Sequence, residues 1–307
     1  MLQSSQHLTK TTIQEAKMQD LTIIVLTYNS SQIIKQCLDS FNNHNYQIIV
    51  VDNASSDETL QIIKANFSLV KIIQNHRNIG FGRANNLAIN QVKTNFALIL
   101  NPDTIIKDTA IANCLKILSN HQEIALASPV ILNQEPQNFI NESLKQFSYN
   151  HFIVGGVLFI NMANMQKIGF FDEQFFMFAE DSDLSDRSIL LGYKNAIIND
   201  CYAVHFGGKS SQKSLHTTYR RFWHLGWSKT KYKQKRKNLF HFIRSSLRLT
   251  VIHLLFGLMY LIIFNKEKSI ENLAFAFGCF ACLIGLKAFD CNDNPRGEMF
   301  FPLNKLK

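Results

Sequence analysis

Six cysteines (Cys37, Cys114, Cys201, Cys279, Cys282 and Cys291) are too few and too scattered over 307 residues to form a disulfide framework. Their spread fits a reducing compartment. Cys279 and Cys282 form a C-x-x-C with no second ligand pair nearby, so buried packing is expected there rather than metal or redox chemistry. No apolar core opens the chain. Met1–Asp20 is polar and mixed in charge, which argues against a signal peptide and predicts a loosely ordered tail ahead of a cytoplasmic domain. No internal repeat or low-complexity segment is evident. Charge is also sparse: 18% of residues are Asp, Glu, Lys or Arg against 46% hydrophobic, the balance of an ordinary globular protein. Acidic residues are missing altogether between Lys209 and Arg248, where twelve Lys and Arg fall. The net charge of +9 is therefore concentrated in that one stretch, which calls for an anionic partner or a solvated face. No nucleic-acid-binding module accompanies it, and nucleic acid is set aside as a partner.

What is present is an alternation. Leu21–Leu26 is a run of aliphatic residues ending in Thr27-Tyr28-Asn29, and Ser30–Phe41 then spaces apolar residues as one helix face. Gln47–Val51 reads as a second buried strand closed by Asp52-Asn53, and Ser56 or Asp57 can cap the helix that follows. Val70–Ile73 and Phe96–Leu100 are further strands, with a helical pattern over Gly82–Val92 between them. This order predicts an α/β fold with a mostly parallel sheet and helical crossovers. Ligands in such sheets sit beyond the carboxyl ends of the strands, where Thr27–Asn29, Asp52 and Asn101–Asp103 stand. After Pro129 the pattern changes. Gln134–Asn150 reads as a loop, Gly155–Met162 as a strand, Glu180–Leu191 as a short helix, and Tyr193–Ile198 with Tyr202–Val204 as closing strands.

Two apolar segments, Leu249–Phe264 and Leu273–Leu286, follow the basic stretch. Sixteen helical residues reach about 24 Å, short of the roughly 30 Å hydrocarbon core. Both segments read as apolar on all sides, which favours a short or re-entrant membrane hairpin with the basic stretch on the inner leaflet. Buried helices or helices lying in the interface plane remain open. The expected organisation is a tail at 1–20, a catalytic domain at 21–210 and a basic, apolar, membrane-associated helical region at 211–307.

Three groups could carry chemistry. Asp103, in Asn101-Pro102-Asp103 straight after a strand, offers hard oxygen to Mg²⁺ or Mn²⁺, although the same residues suit a turn. Glu180, Asp181 and Asp183 crowd the start of a helix beside Phe175-Phe176-Met177-Phe178. Helix dipoles alone explain one such acid, whereas mutual repulsion among three would raise a pKa and suit a general base. His205 could supply a further metal ligand, and the Gly207-Gly208-Lys209-Ser210 after it could approach phosphates, though a lone His is commonly structural.

Together these residues resemble family 2 glycosyltransferases of GT-A fold, most nearly their rhamnosyltransferase-like branch. The resemblance covers about Leu21 to Ser210. It rests on Val25–Asn29, Val50–Asp57, Asn78–Phe81, Asn101-Pro102-Asp103, Gly155-Gly156, Phe171-Asp172-Glu173, Glu180-Asp181-x-Asp183-Leu184 with Arg187, Gly192-Tyr193 and His205-x-x-Gly208, in the family's order. It implies that Thr27, Tyr28 and Asn29 line the nucleotide pocket and that Asp52 hydrogen-bonds the base. Arg77, Asn78 and Asn101 would help hold a dTDP- or UDP-sugar donor. Asp103, in the family's D-x-D position, would bind the metal with His205. Asp181 would be the base of a single inverting displacement, with Asp172, Glu180 and Asp183 on the acceptor side. Asn101 replaces the first Asp of D-x-D, leaving the metal one anionic ligand fewer. The implied acceptor is a surface glycan such as lipopolysaccharide or a lipid-linked saccharide, at the cytoplasmic face of the inner (plasma) membrane. Two other readings stay open, a polyprenyl-phosphate glycosyltransferase and a non-catalytic membrane scaffold of the same fold. A sugar-nucleotide-forming nucleotidyltransferase is disfavoured, because Thr27-Tyr28-Asn29-Ser30-Ser31 stands where its glycine-rich loop would be.

Overall fold

A computed structural model of the chain describes residues 20–41, 46–139, 145–207, 214–290 and 292–297. The expected tail up to residue 19, Gly208, Lys209, Ser210 and Cys291 lie outside the described residues. The chain divides into two compact units. The first takes in 1–78, 84–171 and 181–211, and the second takes in 79–83, 172–180 and 212–307, so two short internal pieces group with the C-terminal region.

The first unit is built on one sheet. Its strands are β1 (Leu21–Thr27), β2 (Gln47–Asp52), β3 (Lys71–Gln74), β4 (Phe96–Leu100), β5 (Thr104–Ile106), β6 (Ile124–Leu132), β7 (Phe147–Tyr149), β8 (Val157–Asn161) and β9 (Lys194–His205). Its helices are α1 (Ile34–Asp39), α2 (Thr59–Asn66), α3 (Phe81–Ile89), α4 (Asp108–Asn120), α5 (Met162–Ile168) and α6 (Glu180–Leu190). Strand order is β3-β2-β1-β4-β8-β6-β9-β5, with β7 added beside β9. The β3-β2-β1-β4 half is parallel, as the alternation predicts. The other half is not. β8 runs antiparallel to both β4 and β6, and β5 antiparallel to β9. The sheet is therefore mixed rather than mostly parallel.

Every residue of β4 and of β8 is buried, which explains why both are continuous apolar runs without alternation. The core on one side of the sheet joins Ile23, Val25, Leu98 and Leu100 to Ile34 and Leu38 of α1, Phe41 just beyond it, and Ile111 and Leu115 of α4. Each such side chain contributes about 1.5–3 kcal/mol by leaving water. The two expected closing strands are one long strand, β9. Its register against β6 shifts between Pro129 and Val130, where β9 jumps from Ile198 to Tyr202. The polar residues Asn199 and Asp200 sit in that irregularity. Within the expected 134–150 loop, the structure finds the short strand β7.

The second unit holds three long helices, α7 (Leu215–Arg236), α8 (Leu239–Ile262) and α9 (Lys266–Leu283). Ser214 caps α7 in a reciprocal capping box with Thr217. α7 and α9 meet at glycines. A Cβ on Gly226 would stand 2.1 Å from the Phe275 carbonyl oxygen, and one on Gly278 would stand 1.9 Å from that of Trp223. Cys279 and Cys282 are buried in this packing, and the Cys279 thiol reaches the Gly226 carbonyl at 3.4 Å. Of the two apolar segments, the second takes the buried-helix alternative that the sequence left open, since α9 buries Ala274, Phe275, Gly278, Ala281 and Cys282. α8 is different. It is the one helix among the described residues long and apolar enough to cross a membrane, with a mean hydropathy of 1.6 and 11% of its apolar window buried.

Candidate active site

The tips of β1, β2 and β3 are tied together by side chains of the residues that end them. The Asn53 N–H donates to the Thr27 carbonyl at 2.9 Å, and Asn75 N–H to that of Asp52 at 2.9 Å. The Asn53 amide donates to Asn78 Oδ1 at 3.1 Å and accepts from Asn75 Nδ2 at 2.9 Å. Asn29, held at φ 52°, donates its N–H to Ser55 Oγ at 2.9 Å and accepts from the Ser56 N–H at 2.8 Å. Left-handed backbone costs about 1 kcal/mol or more outside glycine, and Ala54 shares it at φ 67°. Asp57 fastens the other side, accepting from the Ser31 N–H and the Thr59 hydroxyl. Burial pushes its carboxyl up, but these bonds outweigh it and the pKa ends below the ordinary value.

Two polar atoms in this cradle are left over. Asp52 is fully buried, and its Oδ2 accepts the Ser55 N–H at 3.0 Å while Oδ1 has no partner. Thr27 Oγ1, at the neighbouring strand tip, is also buried without a partner. Leaving a buried carboxylate oxygen unpaired costs about 1–3 kcal/mol or more, so the arrangement suits a ligand carrying an N–H or O–H. Tyr28 is half-buried and Arg77 exposed at the same sheet end.

The second cluster follows from two antiparallel pairings, β4 with β8 and β5 with β9. β4 ends where β8 begins, with Leu100 paired to Val157, so Asn101 and Gly156 are adjacent. The Asn101 N–H donates to the Gly156 carbonyl at 2.9 Å. β5 pairs Thr104 with His205, which sets His205 beside Asp103. His205 Nε2 lies 3.1 Å from Asp103 Oδ1 and 3.3 Å from Asn101 Nδ2. One ring nitrogen cannot accept from an amide and donate to a carboxylate at the same time. As an N–H, Nε2 donates to Asp103 Oδ1; as a bare lone pair it is open either to the Asn101 amide or to a cation shared with Asp103 Oδ1. A buried carboxylate, an imidazole nitrogen and an amide so placed form a donor set that fits Mg²⁺ or Mn²⁺, with the remaining positions left to phosphate and water. Among the described residues, no three His, Cys, Asp or Glu side chains form a complete metal cage.

Gly155-Gly156 joins this cluster to the expected base. The Gly155 N–H donates to Asp181 Oδ2 at 3.1 Å, and Ser182 N–H to Asp181 Oδ1 at 2.7 Å. A Cβ on Gly156 would crowd Asn101 Nδ2 at 3.1 Å and His205 Cε1 at 3.4 Å, so those side chains would have to give way slightly. Asp103, Asn101, His205 and Asp181 are thus gathered around one glycine pair. Burial raises the Asp181 pKa above the ordinary carboxylate value, only partly offset by the bonds from Gly155 and Ser182.

That cause differs from the expected one. Asp183 does not repel Asp181 across a shared surface. It is fully buried and paired with Arg187 at 2.8 Å, and the same guanidinium holds the carbonyls of Ile168, Gly169 and Phe170. The structure thus gives Asp183, expected on the acceptor side, an internal ion pair with Arg187. Glu180 is buried and belongs to the second unit. Asp172, in the same unit, closes a turn by accepting the Gln174 N–H at 2.9 Å and pairs with Lys235 at 2.8 Å. Asn53, Ser55 and Asp57 carry more of the cradle than sequence reasoning gave them. Their short polar spacing after a strand was the available signal.

A parallel half-sheet with a polar cradle, joined to a mixed half whose antiparallel β5–β9 pairing brings a carboxylate and an imidazole together, defines a nucleotide-sugar transferase fold. The chain belongs to glycosyl transferase family 2, whose family model matches residues 22–181. The rhamnosyltransferase WbbL of Escherichia coli is 26% identical over 239 residues, covering 66% of this chain and 89% of its own length. Two solved structures share the fold. The mannosyltransferase PcManGT of Pyrobaculum calidifontis, in complex with GDP-Man and Mn²⁺, matches with TM-score 0.55 at 18% identity over 86% of this chain and 87% of its own. The TarS 1–349 fragment of S. aureus, in complex with UDP-GlcNAc, matches with TM-score 0.52 at 17% identity over 87% of this chain and 92% of its own.

Proposed function

We propose that the protein is an inverting, metal-dependent hexosyltransferase that moves a deoxyhexose such as rhamnose from a dTDP- or UDP-sugar to a hydroxyl of a surface glycan or lipid-linked saccharide. The observation that carries this reading is the gathering of Asp103, His205, Asn101 and Asp181 about Gly155-Gly156. The orphaned Asp52 Oδ1 supports the donor class, because uracil and thymine both offer an imide N–H to an acceptor. The Asn29–Ser56 bonds hold the loop that would face the base.

In this reading Asp103 and His205 hold a Mg²⁺ or Mn²⁺, which when bound supplies positive charge to the leaving diphosphate. Asp181 accepts the proton of the acceptor hydroxyl as its oxygen bonds to the anomeric carbon. The bond from that carbon to the phosphate oxygen breaks, and the nucleoside diphosphate leaves with the electron pair. One displacement inverts the anomeric configuration. Burial raises the proton affinity of Asp181 toward the working range of a base, while Gly155 and Ser182 fix its orientation. The exposed apolar face of α8 and the twelve basic residues that include its Arg244 and Arg248 support attachment at the cytoplasmic face of the inner membrane.

The test is a panel of dTDP-, UDP- and GDP-sugars given to the full chain with Mg²⁺ or Mn²⁺, reading nucleoside diphosphate release. Release with a dTDP- or UDP-deoxyhexose, lost with chelator and restored by metal, is the expected result. Consumption of none of the panel, with lipid-linked acceptor present, would overturn the proposal. Product anomers by NMR decide inversion. Transfer to polyprenyl phosphate itself would favour the other lipid-directed reading.

A further inference from the structure

Helix α8 packs through Phe242, Ser246 and Gly257. Two polar contacts tie it to α9. The Ser269 hydroxyl donates to the Gly257 carbonyl at 2.8 Å, and His253 Nδ1 lies 2.8 Å from Asn272 Oδ1. The outward face presents Val251, Leu255, Leu258 and Ile262, all exposed, and the chain turns into α9 through Phe264 at 88% exposure. Glycine and small polar residues at helix contacts, with aliphatic residues outside, are what lipid selects.

Behind this face, α7, α8 and α9 enclose a half-open cavity of about 440 Å³. One wall is apolar, from Phe222 and Leu225 of α7, Leu249 of α8 and Phe275 of α9. Lys229 and Lys233, one turn apart on α7, supply its charge. The Lys229 ammonium stands 5.8 Å from the centre of the Phe275 ring. Glu271 also lines the space, yet no carboxylate pairs with either lysine among the described residues. Burial holds the Lys233 pKa below its ordinary value; Cys279 opposes it, and the like charges of Lys237 and Lys229 add to it. Two neighbouring cations beside an apolar wall are complementary to a phosphate carrying alkyl chains, and the volume is of the size that small-ligand sites use.

We propose that the cavity between α7, α8 and α9 is a binding site for an anionic amphiphile, a lipid phosphate seated on Lys229 and Lys233 with its chain along Phe222, Leu225, Leu249 and Phe275. The site rests on the membrane-facing reading only in where it would meet its ligand. It is testable without a membrane.

The experiment is calorimetric titration of the full chain with a short-chain phosphatidic acid below its micelle concentration, alongside short-chain phosphatidylcholine and inorganic phosphate. Phosphatidic acid should bind, and the K229Q/K233Q variant should weaken it about thirtyfold, roughly fivefold per charge removed. Inorganic phosphate should bind far more weakly. Equal binding by the double variant, or phosphate binding as tightly as the amphiphile, would overturn the site. An R244Q/R248Q variant removes two charges that lie on the exposed face of α8. It should leave short-chain binding unchanged and reduce flotation with anionic vesicles. A chain that binds phosphatidic acid but floats with no vesicle would sink the membrane reading and keep the site. A chain that floats but binds no short-chain lipid would do the reverse.

Discussion

Replacing Asp181 by Asn separates chemistry from scaffolding. The carboxylate spends one oxygen on the Gly155 N–H and the other on the Ser182 N–H. Asparagine keeps the shape and one acceptor, and turns an N–H of its own toward the other donor. Losing one neutral bond costs about 0.5–1.5 kcal/mol. A compensating gain exists because a buried charge disappears. The folded-state pKa is raised, so this group favours folding below the ordinary carboxylate value and that contribution is lost as pH rises through the folded value. At neutral pH the ionised Asp181 therefore opposes folding, and its neutral replacement offsets the lost bond. Thermal unfolding near pH 7 should move by only a few degrees. Turnover should not be so forgiving. A positioned base contributes about 10²–10⁴-fold, which is roughly 2.7–5.4 kcal/mol of transition-state stabilisation. Nucleoside diphosphate release with saturating donor and acceptor should fall by that factor, with donor affinity little changed. In the wild type, kcat should also climb with pH along a limb whose midpoint lies above the ordinary Asp value. An Asn variant that keeps more than a tenth of the turnover and the same acid limb would refute the assignment of Asp181 as base.

Asp52→Asn should weaken UDP or dTDP binding about 10-fold or more by calorimetry, since the base then meets an amide in place of the unpaired carboxylate oxygen; unchanged affinity would remove Asp52 from the donor pocket. Gly156→Ala forces a methyl against Asn101 and His205, so the metal concentration for half-maximal turnover should rise before stability falls; a variant with wild-type metal dependence would count against the Asp103–His205 site. Arg187→Ala strands the buried Asp183 carboxylate and should destabilise the fold by about 3–5 kcal/mol in denaturant unfolding, with partial recovery when Asp183→Asn is added. No recovery in the double variant would mean that Arg187 acts through its three carbonyl bonds alone.

The parallel half of the fold was legible because β1, β2 and β4 are apolar runs closed by polar residues, and their helices show one-face spacing. Strand direction beyond β4 was not legible, since a buried run such as Val157–Asn161 reads the same either way along a sheet. β9 looked like two strands because its irregularity holds Asn199 and Asp200 in the middle. α7 was hidden by its charge. Trp223 and Trp227, four residues apart and both buried, were its helical signal within a stretch that reads first as basic. At the site, sequence order put Asp103, Asp181 and His205 on the table, but the physical reason for the raised Asp181 pKa came only from three dimensions. Its acidic neighbour Asp183 proved to be neutralised inside the protein.

Asp103 and His205 are 102 positions apart, and they meet only through the pairing of β5 with β9. On the proposed function, the last strand of the sheet to be synthesised therefore delivers the last ligand of the metal site. Nucleotide-sugar turnover, on that same function, therefore requires that β9 has already paired with β5.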